Sequence, residues 1–210
     1  MNITVKTTKE TNWKEIAENP VLGAVITDTL KNGQEIKYEI AATGVYGAAA
    51  AVVCYDCLPE EWEMNKEWTN KDGYNASEMR RHLREDILPL LPDELRAVIL
   101  PRTINQKING KIVEGDTPDE IWLPSMTEMV GGDYTNNPRT GDHEDIHFPL
   151  YSSEKSRVKE CGDNGTWAFW LRSPNTGYTR YFWSVYSAGN VYNSYVSNQY
   201  GVAFGFLINP

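Results

Sequence analysis

The chain has 210 residues, 40% of them apolar and 23% charged, and carries a formal net charge of −9. That length suits one large domain with a sizeable core. The acidic balance excludes a nucleic-acid partner, which needs a basic footprint, and an anionic membrane surface as well.

No apolar run approaches the roughly 20 residues of a membrane span, so no membrane insertion is expected. The opening Met1-Asn2-Ile3-Thr4-Val5-Lys6 lacks the pattern of a signal peptide. Asn12, with Trp13 and Glu15, predicts a capped helix from Trp13 to Glu18, ended by Asn19-Pro20. Val21 to Asp28 and Gln34 to Ala41 alternate as two strands. Lys31-Asn32-Gly33 between them signals a hairpin. Ala48 to Tyr55 is a short run of small apolar residues that reads as a buried strand.

Trp62 to Tyr74 is polar and aromatic, a loop. Ser77 then caps a helix whose Met79, Leu83 and Ile87 share one face, leaving Arg80, Arg81, Arg84 and Glu85 on a solvated face. Pro89 and Pro92 break that helix, and Asp93 to Val98 makes a further short turn. Asn109-Gly110 marks a second hairpin between residues 104–107 and 111–113. Ile121-Trp122-Leu123-Pro124 reads as a short buried strand, and Ser125-Met126-Thr127-Glu128 as a capping box closed by Gly131-Gly132. Trp167 to Arg172, Phe182 to Tyr186 and Val202 to Ile208 read as strands, with Ser187-Ala188-Gly189-Asn190 a turn. The expectation is a single α+β domain over residues 1–210, with residues 1–60 a separable β-rich part.

Three cysteines are present, Cys54, Cys57 and Cys161. Cys54-Tyr55-Asp56-Cys57 has the spacing of half a zinc site or a redox pair. It lacks a second pair of ligands, and Leu58-Pro59 follows too soon for a redox helix, so reduced, partly buried thiols are favoured. Asp133, Asn136, Asn137, Asp142, Glu144 and Asp145 form an oxygen-rich loop that matches no calcium spacing and reads as solvated. His143 and His147 have no third ligand. Residues 47–51 lack the Lys of a phosphate loop. No metal, cofactor or catalytic residue is assigned.

The last third is the distinctive part. Six of the twelve tyrosines lie from Tyr178 to Tyr200, and Arg180 is the one charged residue there. Tyr, Ser, Asn and Gly without Lys or Glu is the composition of a binding surface.

Trp170-Leu171-Arg172-Ser173-Pro174 and Gly201-Val202-Ala203-Phe204-Gly205-Phe206 resemble the variable proteins of diversity-generating retroelements of gut bacteria and phages. They also resemble the broader family of bacterial domains sharing those two motifs. Asn12 to Ile16, Ser77 to Arg80, Asp119 to Ser125 and Phe148 to Ser153 extend the likeness over most of the chain. The resemblance implies a C-type lectin-like fold of the formylglycine-generating-enzyme kind: a small mixed or antiparallel sheet, short helices and long loops. Residues 167–210 would be its variable ligand-binding region. Such proteins vary chiefly at Asn codons, whose first two bases can be rewritten to most residues but not to Lys, Glu, Gln, Met or Trp. From Asn175 to Gly201 there is no Lys, Glu or Met; Gln199 and Trp183 must then be template-fixed.

On this resemblance the varied, outward positions are Tyr178, Thr179, Arg180, Tyr181, Ser184, Tyr186, Tyr192, Asn193, Ser194, Tyr195, Asn198 and Tyr200. Trp170, Leu171, Arg172, Ser173, Gly177, Phe182, Val185, Gly189, Gly201, Val202, Phe204 and Phe206 hold the scaffold. The implied activity is non-enzymatic binding of a protein or glycan receptor on a cell surface, from a phage tail or a bacterial surface, with homo-oligomers compatible. Alternatives are a formylglycine-generating-type enzyme, for which Cys161 lacks a neighbouring cysteine in sequence, and an undiversified interaction domain of the same family.

Overall fold

The computed structural model describes residues 11–135 and 137–210; residues 1–6, read above for a leader, and Asn136 of the acidic loop lie outside the described residues. Helix α1 (Trp13–Glu18) starts where expected, because the Asn12 side chain accepts from the Glu15 amide at 3.2 Å. Its Trp13 is buried, donates to Asp28 Oδ2 at 2.7 Å and packs edge-on against Tyr38 and Phe206. Strands β1 (Val25–Thr29) and β2 (Glu35–Thr43) pair antiparallel around the Asn32-Gly33 turn. The first strand starts four residues later than predicted. Ala24 N–H closes a turn onto Val21 C=O at 3.0 Å, which leaves Val21 and Leu22 exposed. Strand β3 (Ala50–Cys54) is buried along its whole length.

Ser77 caps α2 (Glu78–His82) through the Arg80 amide. One wide turn over Leu83–Ile87 and a tight one over Leu88–Leu90 continue it. Met79 and Leu83 are buried as predicted, but the opposite face is not simply solvated. Arg80 is buried, with Nε 3.0 Å from both oxygens of buried Asp119 and Nη1 2.8 Å from Asp116 at the surface, so one acid turns inward to meet it and one caps it from outside. Helix α3 (Asp93–Arg96) and strand β4 (Ile99–Leu100) follow, then the hairpin β5 (Gln106–Ile108) and β6 (Lys111–Val113). Residues 121–124 form no ladder; only Trp122 bridges Gly205, and Pro124 has no N–H to extend the pairing. Helix α4 (Met126–Met129) opens with the expected reciprocal capping box of Ser125 and Glu128.

Strands β7 (Phe169–Pro174), β8 (Tyr181–Val185) and β9 (Val191–Tyr195) make a three-stranded antiparallel sheet with β9 at its edge. Strand β9 is absent from the sequence reading: Asn193 and Ser194 are poor strand formers, and it is the hairpin partner β8 that holds them extended. The turn between β8 and β9 needs Gly189, at φ 84°, because a Cβ there would collide with the Glu154 backbone. Strand β10 (Gly205–Ile208) is shorter than the predicted run and inserts between β3 and β4, giving the order β1-β2-β3-β10-β4. Residues 25–54 thus supply three strands of the sheet that the C-terminus completes. The architecture is α+β. No helix among the described residues is long and apolar enough to cross a membrane.

The cysteines correct the expectation of reduced thiols. Cys57 and Cys161, 104 residues apart in sequence, are disulfide-bonded with Cα atoms 4.7 Å apart, and Cys54 is the free one, fully buried. Gly201 lies against the pair; a Cβ there would come within 2.5 Å of both sulfurs. This is the physical reason for glycine where the last segment turns toward β10.

Candidate ligand-binding surface

Every residue of β7 is buried, and its polar groups are satisfied inward. Trp170 Nε1 donates to Trp62 C=O at 2.7 Å. Arg172 is 1% exposed and donates to Leu123 C=O, to both Glu128 oxygens and to Asp145. Arg102 reaches the same two acids at 2.6 Å each, and its guanidinium lies 3.6 Å from the Tyr46 ring centroid. Tyr46 Oη donates to Glu128 at 2.9 Å. Two arginines and two carboxylates therefore form one cluster, with Arg172 and Glu128 fully buried and Arg102 at its rim. Ser173 accepts from the Met126 amide at 2.7 Å and donates to Asp142, which also takes the Thr127 amide and hydroxyl at 2.8 Å each.

Electrostatics follow from burial. Desolvation pushes the Glu128 carboxyl up, but Arg172, Arg102 and the hydrogen bonds from Arg172 and Ser125 outweigh it and hold the group at about 2. Asp142 goes the other way. Burial and then neighbouring Asp145 raise it to about 7, against its hydrogen bonds from Ser173 and Thr127 and the pull of Arg172. The oxygen-rich loop is therefore not simply solvated. Asp142 and Asp145 turn inward as partners of the β7 motif, while Asp133 and Glu144 stay exposed.

Above this layer the β8–β9 hairpin presents aromatic rings. Tyr181 faces Tyr195 across the ladder with ring centroids 4.5 Å apart. Tyr178 packs edge-on to Tyr181 at 5.8 Å, and Trp68 lies 6.4 Å beyond Tyr195. Trp68, Tyr178 and Tyr195 are 61%, 63% and 47% exposed. Arg180 stands 5.7 Å over the Trp68 ring, with no carboxylate within 4 Å among the described residues. These rings form one contiguous strip of rigid, amphipathic contact area. A second group, Tyr186 and exposed Tyr192 with centroids 5.6 Å apart, lies near the far end of the hairpin.

Of the twelve positions expected to face outward, nine do so wholly or in part: Tyr178, Thr179, Arg180, Tyr181, Tyr186, Tyr192, Asn193, Tyr195 and Asn198. Ser184, Ser194 and Tyr200 are buried, a correction. Ser184 and Ser194 lie on the inner face of the hairpin, their hydroxyls 2.9 Å apart. Tyr200 packs at a tilt against Trp170, ring centroids 4.8 Å apart, and its hydroxyl meets Tyr186 at 2.9 Å and Asn198 at 3.0 Å. The scaffold positions are buried except Gly177, which sits in the exposed turn after β7.

The sequence reading missed two residues of this surface, both in the loop between Trp62 and Tyr74. Trp68 carried a signal, a tryptophan in a polar stretch. Asn70 carried none, because its partners lie more than 100 residues away.

Residues 39–210 match the family described as a domain of unknown function (DUF6273), and the chain belongs to that family. No curated protein and no solved structure matches it.

Proposed function

We propose that this member of the family is a non-enzymatic binding protein, its contact surface the aromatic strip on the β8–β9 hairpin and the turn before it. The observation that carries the reading is the exposed Trp68–Tyr195–Tyr181–Tyr178 strip with Arg180 beside it, on a β7 scaffold whose Arg172 is buried against Glu128 and Asp145. Large rings with few rotatable bonds lose little entropy on contact, and a guanidinium over a ring adds a hydrogen-bonding hot spot. The scaffold is a C-type lectin-like fold of the formylglycine-generating-enzyme kind. The partner is a protein or glycan receptor on a cell surface, engaged from a phage tail or a bacterial surface. Diversification of the nine outward positions from Asn codons fits their present residues.

Labelled protein applied to intact bacterial cells and to printed glycans tests the binding reading. A Tyr178→Ala/Tyr195→Ala variant of equal melting temperature serves as the comparison. Binding that the variant loses supports the surface; equal binding by both defeats it. For diversification, the DNA downstream is decisive. A near-repeat of the gene's 3′ end, with adenines at the differing positions and a reverse transcriptase gene beside it, is expected. Its absence would make this an undiversified interaction domain.

The second reading, a formylglycine-generating-type enzyme, draws on the Cys57–Cys161 pair. Cys161 does have a cysteine partner in space, although none nearby in sequence. Against it, Cys161 is buried and Gly201 closes over both sulfurs with no space for even a methyl group. Stoichiometric copper binding by the reduced protein would favour the enzyme.

A further inference from the structure

The turn that carries Tyr178, Thr179 and Arg180 is long and exposed; Thr176 ties its start to the Pro138 and Arg139 carbonyls through its hydroxyl and amide, and Asn70 ties the rest. Asn70, nine-tenths buried in the loop that also carries Trp68, directs its side-chain amide at three backbone carbonyls of that turn. These are Asn175 at 2.9 Å, Tyr178 at 3.0 Å and Tyr181 at 2.6 Å, two amide hydrogens serving three acceptors. Its backbone N–H donates to Thr179 C=O at 2.7 Å. Within the turn, Gly177 N–H donates to Asn175 Oδ1 at 3.0 Å and Tyr178 N–H to Asn175 C=O at 3.2 Å. Apart from that of the Thr176 hydroxyl, none of these bonds uses a side chain of residues 176–181.

We infer that Asn70 is the positioning residue of the binding surface: it holds the 175–181 turn through backbone groups of that turn, so residues 178–181 keep their path whatever side chains they display. The same loop brings Trp68 to the strip, which makes Trp68 a contact from outside the C-terminal segment. An ordinary exposed turn holds its shape partly through its own side chains. A turn held this way can change every outward residue between 178 and 181 without losing its anchor. That purpose rests on the binding reading above; the clamp itself does not.

Hydrogen exchange of the full-length protein, read by mass spectrometry over residues 175–182, tests the clamp. Asn70→Ala should raise exchange there at least about tenfold while β3 and β10 keep their protection. Asn70→Ser, which retains one donor, should give a smaller rise and serves if the alanine variant fails to fold. A Thr176→Ser/Tyr178→Ser/Thr179→Ser/Arg180→Ser variant should exchange like the parent. Unchanged exchange in both Asn70 variants would overturn the inference. So would a serine variant that exchanges as fast as Asn70→Ala. If the clamp results hold but the protein binds no cell or glycan, the binding reading falls and the clamp stands.

Discussion

Arg172→Met asks whether the β7 motif is scaffold or contact surface. Methionine keeps most of the aliphatic volume and removes the charge. In the parent, Arg172 is almost wholly buried and donates to Leu123 C=O, twice to Glu128 and once to Asp145. Without it, Glu128 and Asp145 share the single cation Arg102, so one buried negative charge is left uncompensated. Breaking a buried pair from one side costs about 3–5 kcal/mol. A protein of this size loses about 2–4 °C of melting temperature per kcal/mol, so a drop of about 10 °C is expected. Urea unfolding followed by tryptophan fluorescence and circular dichroism at pH 7 measures it. A cycle with Glu128→Gln should return a coupling of at least ~2 kcal/mol. A loss under ~1 kcal/mol would mean that water reaches the carboxylates, and Arg172 would not be the buried counter-charge of Glu128 and Asp145.

The pH profile of stability has a sign that the same cluster fixes. Asp142, raised to about 7, contributes stability that is present at low pH and lost as pH rises from ~4 through ~7; Glu128, held at about 2, loses its contribution as pH falls from ~4.5 toward ~2. Asp142→Asn should remove up to ~1.4 kcal/mol per pH unit of slope between pH 4 and 7 in urea titrations, and an unchanged slope would place the proton elsewhere. Tyr178→Ala and Tyr195→Ala should each change stability by less than ~0.5 kcal/mol, whereas Tyr200→Ala, which strips a buried ring from Trp170, should cost about 3 kcal/mol or more in the same assay. Thiol counting with a maleimide should find no reactive cysteine in the native protein and one, Cys54, after unfolding without reductant. Cys57→Ser/Cys161→Ser should then cost up to about 5 kcal/mol, as the chain entropy of the 104-residue loop released predicts.

What was readable in the sequence closes its hydrogen bonds nearby. The Asn12 cap, the Ser125–Glu128 box and the Asn32-Gly33 and Asn109-Gly110 turns each complete their geometry within about four residues, so their residue types are sufficient signals. The pairs that define the site do not. Cys57 with Cys161, Arg172 with Glu128 and Asp145, and Asn70 with the 175–181 turn join segments that only the folded chain brings together. Arg80 and Asp142 show the same limit. A charge on an amphipathic helix or in an acidic loop reads as solvated until its buried partner is known. The aromatic surface was legible as composition, but which of its members face inward depends on hairpin register and on what covers the hairpin, and period alone does not supply that.

The buried members have a consequence for variation. Ser184 and Ser194 occupy the inner face of the hairpin with their hydroxyls bonded to each other, and Ser184 also donates to Tyr192 C=O at 3.1 Å. Serine is reachable from an Asn codon, so the genetic argument alone would let position 184 vary as freely as position 178. The packing argues otherwise. Ser184 has no exposed surface, and a tyrosine there would have to displace its neighbours in the packed interior, an overpacking cost of about 1–3 kcal/mol or more. An arginine would bring an unpaired charge into the same space, at greater cost. On the proposed diversification, sequencing copies of the gene from one population should therefore show Ser184, Ser194 and Tyr200 constant, and Tyr178, Thr179, Arg180, Tyr181, Tyr186, Tyr192, Asn193, Tyr195 and Asn198 changing. If Ser184 varies between copies as widely as Tyr178, the division of the hairpin into an inner scaffold face and an outer contact face is wrong.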